Sequence, residues 1–171
     1  MPELAEIVRY LDNYLNTAAV TDYPGAYNGL QVESPGKVTR IGAAVDACEP
    51  VFVEAAKRGV DLLLVHHGLL WSTQRFTGPL YRKLRRAFAG GMAVYSSHLP
   101  LDLHPEVGNN VLLCAALGLP RGMPAFMYKG QPVGLKVEAE VSRAELAQRL
   151  EQVLGAEVHL CPGGPEVARR I

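Results

Sequence analysis

The run Leu62-Leu63-Leu64-Val65, closed by His66-His67-Gly68, limits the fold more than any other feature of the chain. Four consecutive apolar residues leave no face of a strand for water, so the segment reads as a strand inside a sheet covered on both sides. Such strands belong to parallel sheets, whose crossover connections put helices on the faces. The flanking sequence agrees. Residues 38 to 45, VTRIGAAV, read as a strand ending at Asp46, and Pro50 opens a short helix that Gly59 closes. Residues 79 to 89 predict a helix carrying Arg82, Lys83, Arg85 and Arg86, a charge run that reads as a solvated face, with Gly90-Gly91 as its stop. Residues 92 to 97, MAVYSS, predict a strand delivering His98, and a helix follows from Pro105 to Leu117. The alternation defines an α/β chain with a largely parallel sheet flanked by helices.

Two further segments frame this centre. Leu4, Ile7, Val8, Leu11 and Leu15 recur at helical spacing, so residues 3 to 16 predict an amphipathic helix, followed by a loop at Tyr23–Gly29. Between Gly118 and Gly130 the period is lost, which places a domain boundary after residue 120. Residues 1–120 form the larger α/β domain and residues 121–171 a second, smaller α/β segment. In the latter, GLKVEAEV at 134 to 141 alternates as one strand with a wet face, and Ser142 with Glu145 caps a helix. EVHL at 157 to 160 predicts a short strand, and EVARRI looks like the approach to another.

Seventeen basic residues balance seventeen acidic ones, which argues against a nucleic-acid binder or an anionic-membrane binder. No apolar run approaches the roughly 20 residues that span a bilayer, and the first residues lack a signal-peptide pattern, so a soluble, cytoplasmic protein is expected. Cys48, Cys114 and Cys161 form no paired motif and read as buried thiols acting as small hydrophobes.

In open parallel sheets, ligands bind beyond the carboxyl ends of the strands. Asp46, His66, His67, His98 and Asp102 all fall at or just after such ends. Imidazole and carboxylate suit zinc, manganese, iron or nickel, although a histidine there is also often a satisfied core residue or a loop donor. Adjacent side chains on a strand point to opposite sides, so His66 and His67 would not grip one ion together. Either one of them is structural, or each faces its own ion of a pair. His98 and Asp102 are expected in a loop, because Pro100 disfavours helix at Leu99. His104 reads as a cap or rim residue, and His159 as a core residue of its strand.

Three stretches, YNGLQV at 27 to 32, VHHGLLW at 65 to 71 and SHLPLDLHPEVGNN at 97 to 110, together resemble the Nif-three-like family, the GTP cyclohydrolase 1 type 2 homologues. The resemblance covers residues 1 to about 120 in order and spacing. It implies a site for two divalent ions with His66, His67 and Asp102 as direct ligands and His98 close by, inside a ring-shaped homohexamer. It also implies a small-molecule substrate: water activated between two ions would open the guanine ring of GTP at C8 with loss of formate, His98 shuttling protons. Asn109 or Asn110 would orient that substrate or simply cap the helix. The alternative is a ring that holds or delivers metal without turnover. Family members carry a further histidine and glutamate near their C-terminus, which nothing after Cys161 matches, and this chain is expected to stop about seventy residues before the family pattern does. After Trp71, where relatives often have lysine, stands Ser72.

Overall fold

The computed structural model describes residues 1–72 and 74–171, which form two compact units, Met1–Leu101 and Asp102–Ile171. In the first unit a four-stranded sheet runs in the order β1 (Gly29–Val32), β4 (Ala93–Ser96), β3 (Leu62–His67), β2 (Ile41–Asp46). The last three are mutually parallel, and β1 lies antiparallel to β4 at the edge. Helix α2 (Glu49–Lys57) connects β2 to β3, and α3 (Gly78–Gly90) connects β3 to β4. Both pack on one face, where Phe52, Ala55, Leu80, Leu84 and Ala87 meet Leu63, Val65 and Val94. Helix α1 (Leu4–Tyr14) covers the other face, its Leu4, Ile7, Val8 and Leu11 joining Leu62, Leu64, Ala93 and Tyr95. Alternate residues of β3 thus enter opposite cores, as an unbroken apolar run requires.

The second unit contains α5 (Asn109–Ala116), the hairpin β5 (Met123–Tyr128) and β6 (Gln131–Lys136), and then β7 (Glu138–Ser142), α6 (Arg143–Leu154) and β8 (Val167–Arg170). The division falls ahead of the boundary drawn from sequence texture, so α5 is grouped with this unit. Lys129 and Gly130 both take positive φ, 47° and 83°, which gives the two-residue hairpin turn its twist. Ser142 caps α6, its hydroxyl accepting from the Glu145 N–H at 3.1 Å. Among the described residues no helix is long and apolar enough to cross a membrane.

Several expectations are corrected. The alternating stretch 134–141 is not one strand: its first half pairs with β5, its second with β8, and the exchange occurs at Val137, which bonds Ile171 through both backbone groups. Periodicity reports which face is wet and is silent about the partner. Residues 157–160 form no strand, and the Val158 N–H bonds the Glu151 carboxylate instead of a ladder. The helix expected from Pro105 begins at Asn109 after a turn. Residues Leu99–Asp102 form a one-turn helix, α4, rather than a loop, because proline at a second helical position meets no preceding turn and gives up an N–H that has no intrahelical partner. Cys48 and Cys161 are exposed and Cys114 half-buried, so the thiols are not core residues; Cys48 occupies the N-cap position of α2.

Candidate metal centre

The carboxyl ends of the three parallel strands lie side by side, Asp46 opposite His67 and Val65 opposite Ser96. Strand β3 therefore delivers His66 and His67 to the same rim at which β4 releases the chain to His98. One ring nitrogen from each of these three histidines lies within 4.8 Å of one from each of the others. His66 and His67 do not splay to opposite sides as alternation predicts: their ring centroids are 4.5 Å apart, and His98 stands 4.9 Å from His66 and 5.5 Å from His67. Each ring turns toward its own acceptor.

Those acceptors set the chemistry. His66 Nδ1 lies 3.0 Å from the Ser97 carbonyl, His67 Nδ1 2.7 Å from Asp46 Oδ1, and His98 Nδ1 3.0 Å from Asp22 Oδ1. A carbonyl or carboxylate oxygen can only accept, so Nδ1 is the donor in all three, and in the neutral ring the lone pair is left on Nε2. This is the arrangement of metal-ligating histidines, whose second nitrogen donates to an oxygen that fixes tautomer and ring direction. Nitrogens around one tetrahedral zinc, with bonds of about 2.1 Å, lie roughly 3.4 Å apart. The cluster therefore admits one shared ion or two adjacent ones, and its donor set fits a divalent transition metal.

Asp22 is the most enclosed charge here, its side chain 5% exposed. Burial pushes its carboxyl upward, but hydrogen bonds from Asn28, His98 and the backbone of Tyr23 and Leu99 outweigh burial and hold it below the usual aspartate value. Asn28 and Gln31, both from the YNGLQV stretch, tie the rim together. Asn28 Oδ1 accepts from the His98 N–H at 2.7 Å, and Gln31 Oε1 accepts from the Leu69 N–H at 2.7 Å. Gly68 is required for that clamp, since a Cβ there would come within 2.6 Å of the Gln31 amide and the Ser96 hydroxyl. Trp71 closes one side, edge-on to His98 at 4.9 Å, with its Nε1–H donating to the Gly68 carbonyl.

Sequence reasoning singled out the histidines and missed Asp22, Asn28 and Gln31. The signal was the polar pair inside YNGLQV, flanked by residues that need no amide there. Asp102 opens the second unit, where its Oδ1 accepts from Asn109 Nδ2 at 2.7 Å and its carbonyl from Asn110 Nδ2 at 3.2 Å. The two asparagines thus bind Asp102 directly. His104 is a cap: its Nδ1 accepts from the N–H groups of Glu106 and Val107. His159 is exposed and in irregular chain, not in a core strand.

An α/β scaffold with three convergent imidazoles at its strand ends defines a candidate metalloprotein. Residues 2–171 match the family model described as Duf34/NIF3 (NGG1p interacting factor 3). A Deinococcus radiodurans GTP cyclohydrolase 1 type 2 homolog is 39% identical over 162 residues, which cover 93% of this chain and 60% of that protein. The crystal structure of TTHA1606 from Thermus thermophilus superposes with a TM-score of 0.86 at 39% identity, covering 97% of this chain and 67% of that one. The ybgI protein, of unknown function, gives a TM-score of 0.88 at 36% identity, covering 99% and 68%. The chain belongs to the Duf34/NIF3 family and spans about three-fifths of the length of the curated relatives it matches.

Proposed function

We propose that this chain carries a divalent-metal centre and belongs to a dinuclear metal-dependent hydrolase of the GTP cyclohydrolase 1 type 2 homologue kind. The supporting observation is the set of three imidazoles with every Nδ1 bound to an oxygen and one ring nitrogen of each within 4.8 Å of the others. His66 and His67 would hold the ions through Nε2, with Asp102 as the carboxylate ligand. Zinc, manganese, iron or nickel bound there would supply Lewis-acid polarisation and acidify water. His98 accepts the proton of the attacking water at Nε2, while its Nδ1–H stays on Asp22. Trp71 walls the site and keeps bulk water from one side of it. A small-molecule substrate, a cytoplasmic setting and a homohexameric ring accord with the family and with the balanced charge, which disfavours nucleic acid or membrane as partner.

The rival is a non-catalytic ring that binds or delivers metal, favoured by a cluster built wholly of imidazoles. Trp71 is the single tryptophan and lies 6.3 Å from His67, so its emission reports ion binding directly. Chelator-treated protein is titrated with zinc, nickel and manganese, and then given GTP, simple phosphoesters and cyclic amides beside His67→Ala. Turnover that disappears in His67→Ala supports the hydrolase. An emission change with no turnover on any substrate supports the scaffold, and no emission change or bound ion at all rejects both.

A further inference from the structure

The structure assigns to Asp22 the role of a positioning residue that dictates the tautomer of His98. This rests on the metal-centre reading for its purpose but not for its geometry.

Four donors converge on one carboxylate. Asp22 Oδ1 accepts from the Tyr23 N–H at 2.6 Å and from His98 Nδ1 at 3.0 Å. Its Oδ2 accepts from Asn28 Nδ2 at 2.8 Å and from the Leu99 N–H at 3.0 Å, with His98 Nδ1 also 3.2 Å away. Two of these partners are backbone N–H groups and can only donate. The Asn28 amide is locked as well, because its oxygen already accepts from the His98 N–H. The imidazole alone could act as donor or acceptor, and the carboxylate forces it to donate from Nδ1. Nε2 is thereby left with its lone pair, the form needed either to accept a proton or to meet an ion. In water a neutral imidazole interconverts between its two tautomers; here a carboxylate 5% exposed holds it in one.

Asparagine tests this without changing shape. An NH2 on the Oδ2 side would face two fixed donors, Leu99 N–H and Asn28 Nδ2. On the Oδ1 side it would face one fixed donor, Tyr23 N–H, and the imidazole, which can shift its hydrogen to Nε2 and accept. Among these contacts the second arrangement costs one bond fewer, so Asp22→Asn is expected to invert the His98 tautomer and block Nε2. Asp46 supplies the contrast: its carboxylate bonds His67, and its side chain is 63% exposed, so Asp46→Asn can turn its oxygen toward the ring and keep the His67 tautomer.

The experiment is long-range 1H–15N correlation of the imidazoles in the chelator-treated chain of residues 1–171, with the His98 signals assigned by their loss in His98→Gln. The expected result is His98 protonated at Nδ1 in the unaltered protein, protonated at Nε2 in Asp22→Asn, and His67 unchanged in Asp46→Asn. Should Asp22→Asn fail to fold, the unaltered protein still decides, since Nε2–H on its His98 would overturn the proposal. Nδ1–H persisting in a folded Asp22→Asn would overturn it too. Zinc binding by the unaltered protein is measured in parallel: its absence would remove the metal-centre reading while leaving the tautomer result standing.

Discussion

Asp61 shows how a charge can be held by small groups alone. Its Oδ2 accepts from the Thr39 hydroxyl at 2.6 Å, the Thr39 N–H at 2.7 Å and the Arg40 N–H at 2.8 Å, a turn that aligns the entry to β2 with that to β3. The Thr39 hydroxyl, followed by the two backbone donors, holds its carboxyl below the usual aspartate value. A carboxyl whose folded value is depressed contributes stability that is fully present above its unfolded value, about 3.9, and disappears as pH falls through the lower folded value. Asp61→Asn should therefore flatten the acid limb of stability below about pH 4 and leave its shape above about pH 5 unchanged. Urea unfolding at a series of pH values checks this, and an acid limb as steep as before would remove Asp61 from the account. A second residue makes the opposite point. The Ser97 hydroxyl is buried and has no hydrogen-bond partner among the described residues, although its carbonyl serves His66. Removing an unsatisfied hydroxyl relieves desolvation of about 1 kcal/mol, so Ser97→Ala should raise the melting temperature by roughly 3 °C. A fall in melting temperature would show that the hydroxyl is satisfied in solution.

At the level of elements, the centre is a junction of three chain segments, and the sequence revealed those segments unevenly. The strands β2, β3 and β4 were legible because burial writes itself into composition: a strand inside two cores must be apolar, and its end must be where polarity returns. The histidines were legible for the same reason. Their convergence was not, because alternation describes where a side chain leaves the strand and not where its ring turns to meet an acceptor. Strand β1 was hidden by its shortness and by Gln31, whose side chain serves the rim instead of following the pattern. Strand β5, MPAFMY, was hidden by a local irregularity: Phe126 sits at φ 57°, which breaks the period of two and leaves its ring 70% exposed. Gly68 tests whether the junction matters as a junction. Gly68→Ala drives a methyl into the space of the Gln31 amide, and an overpacked contact of this kind costs about 1–3 kcal/mol. Because the Gln31 clamp orients the chain directly after His67, zinc affinity should fall roughly 10–100-fold, as for the loss of other groups that support ligands. Gln31→Ala in the same background should add little further loss. Full additivity of the two changes would mean that they act through separate contacts.

Across the whole chain, apolar burial is distributed unequally, and that has a measurable consequence. The first unit encloses Phe52, Leu62, Leu63, Met92, Val94 and Tyr95 almost completely. In the second, the buried apolar residues are Leu117, Val137 and Val141, while Phe126 and Met127 are 70% and 69% exposed. Segments with few buried apolar contacts open locally at low free energy, so backbone amides of β5 and β6 should exchange hydrogen far faster than those of β3 and β4. All three histidines of the cluster belong to the first unit. An ion that binds only the folded form at about a hundred times its dissociation constant adds about 2.7 kcal/mol. Zinc should therefore slow exchange at the carboxyl ends of β3 and β4 and along residues 22–31, and change the β5–β6 hairpin least. On the proposed roles the gain should vanish in His66→Ala and His67→Ala, which would remove ligands, and survive within a few-fold in His98→Ala, which would remove a proton acceptor. Mass-spectrometric hydrogen exchange with and without zinc separates these cases. Equal loss of protection in all three variants would place His98 among the ligands, and protection confined to residues 102–171 would show that the ion binds elsewhere.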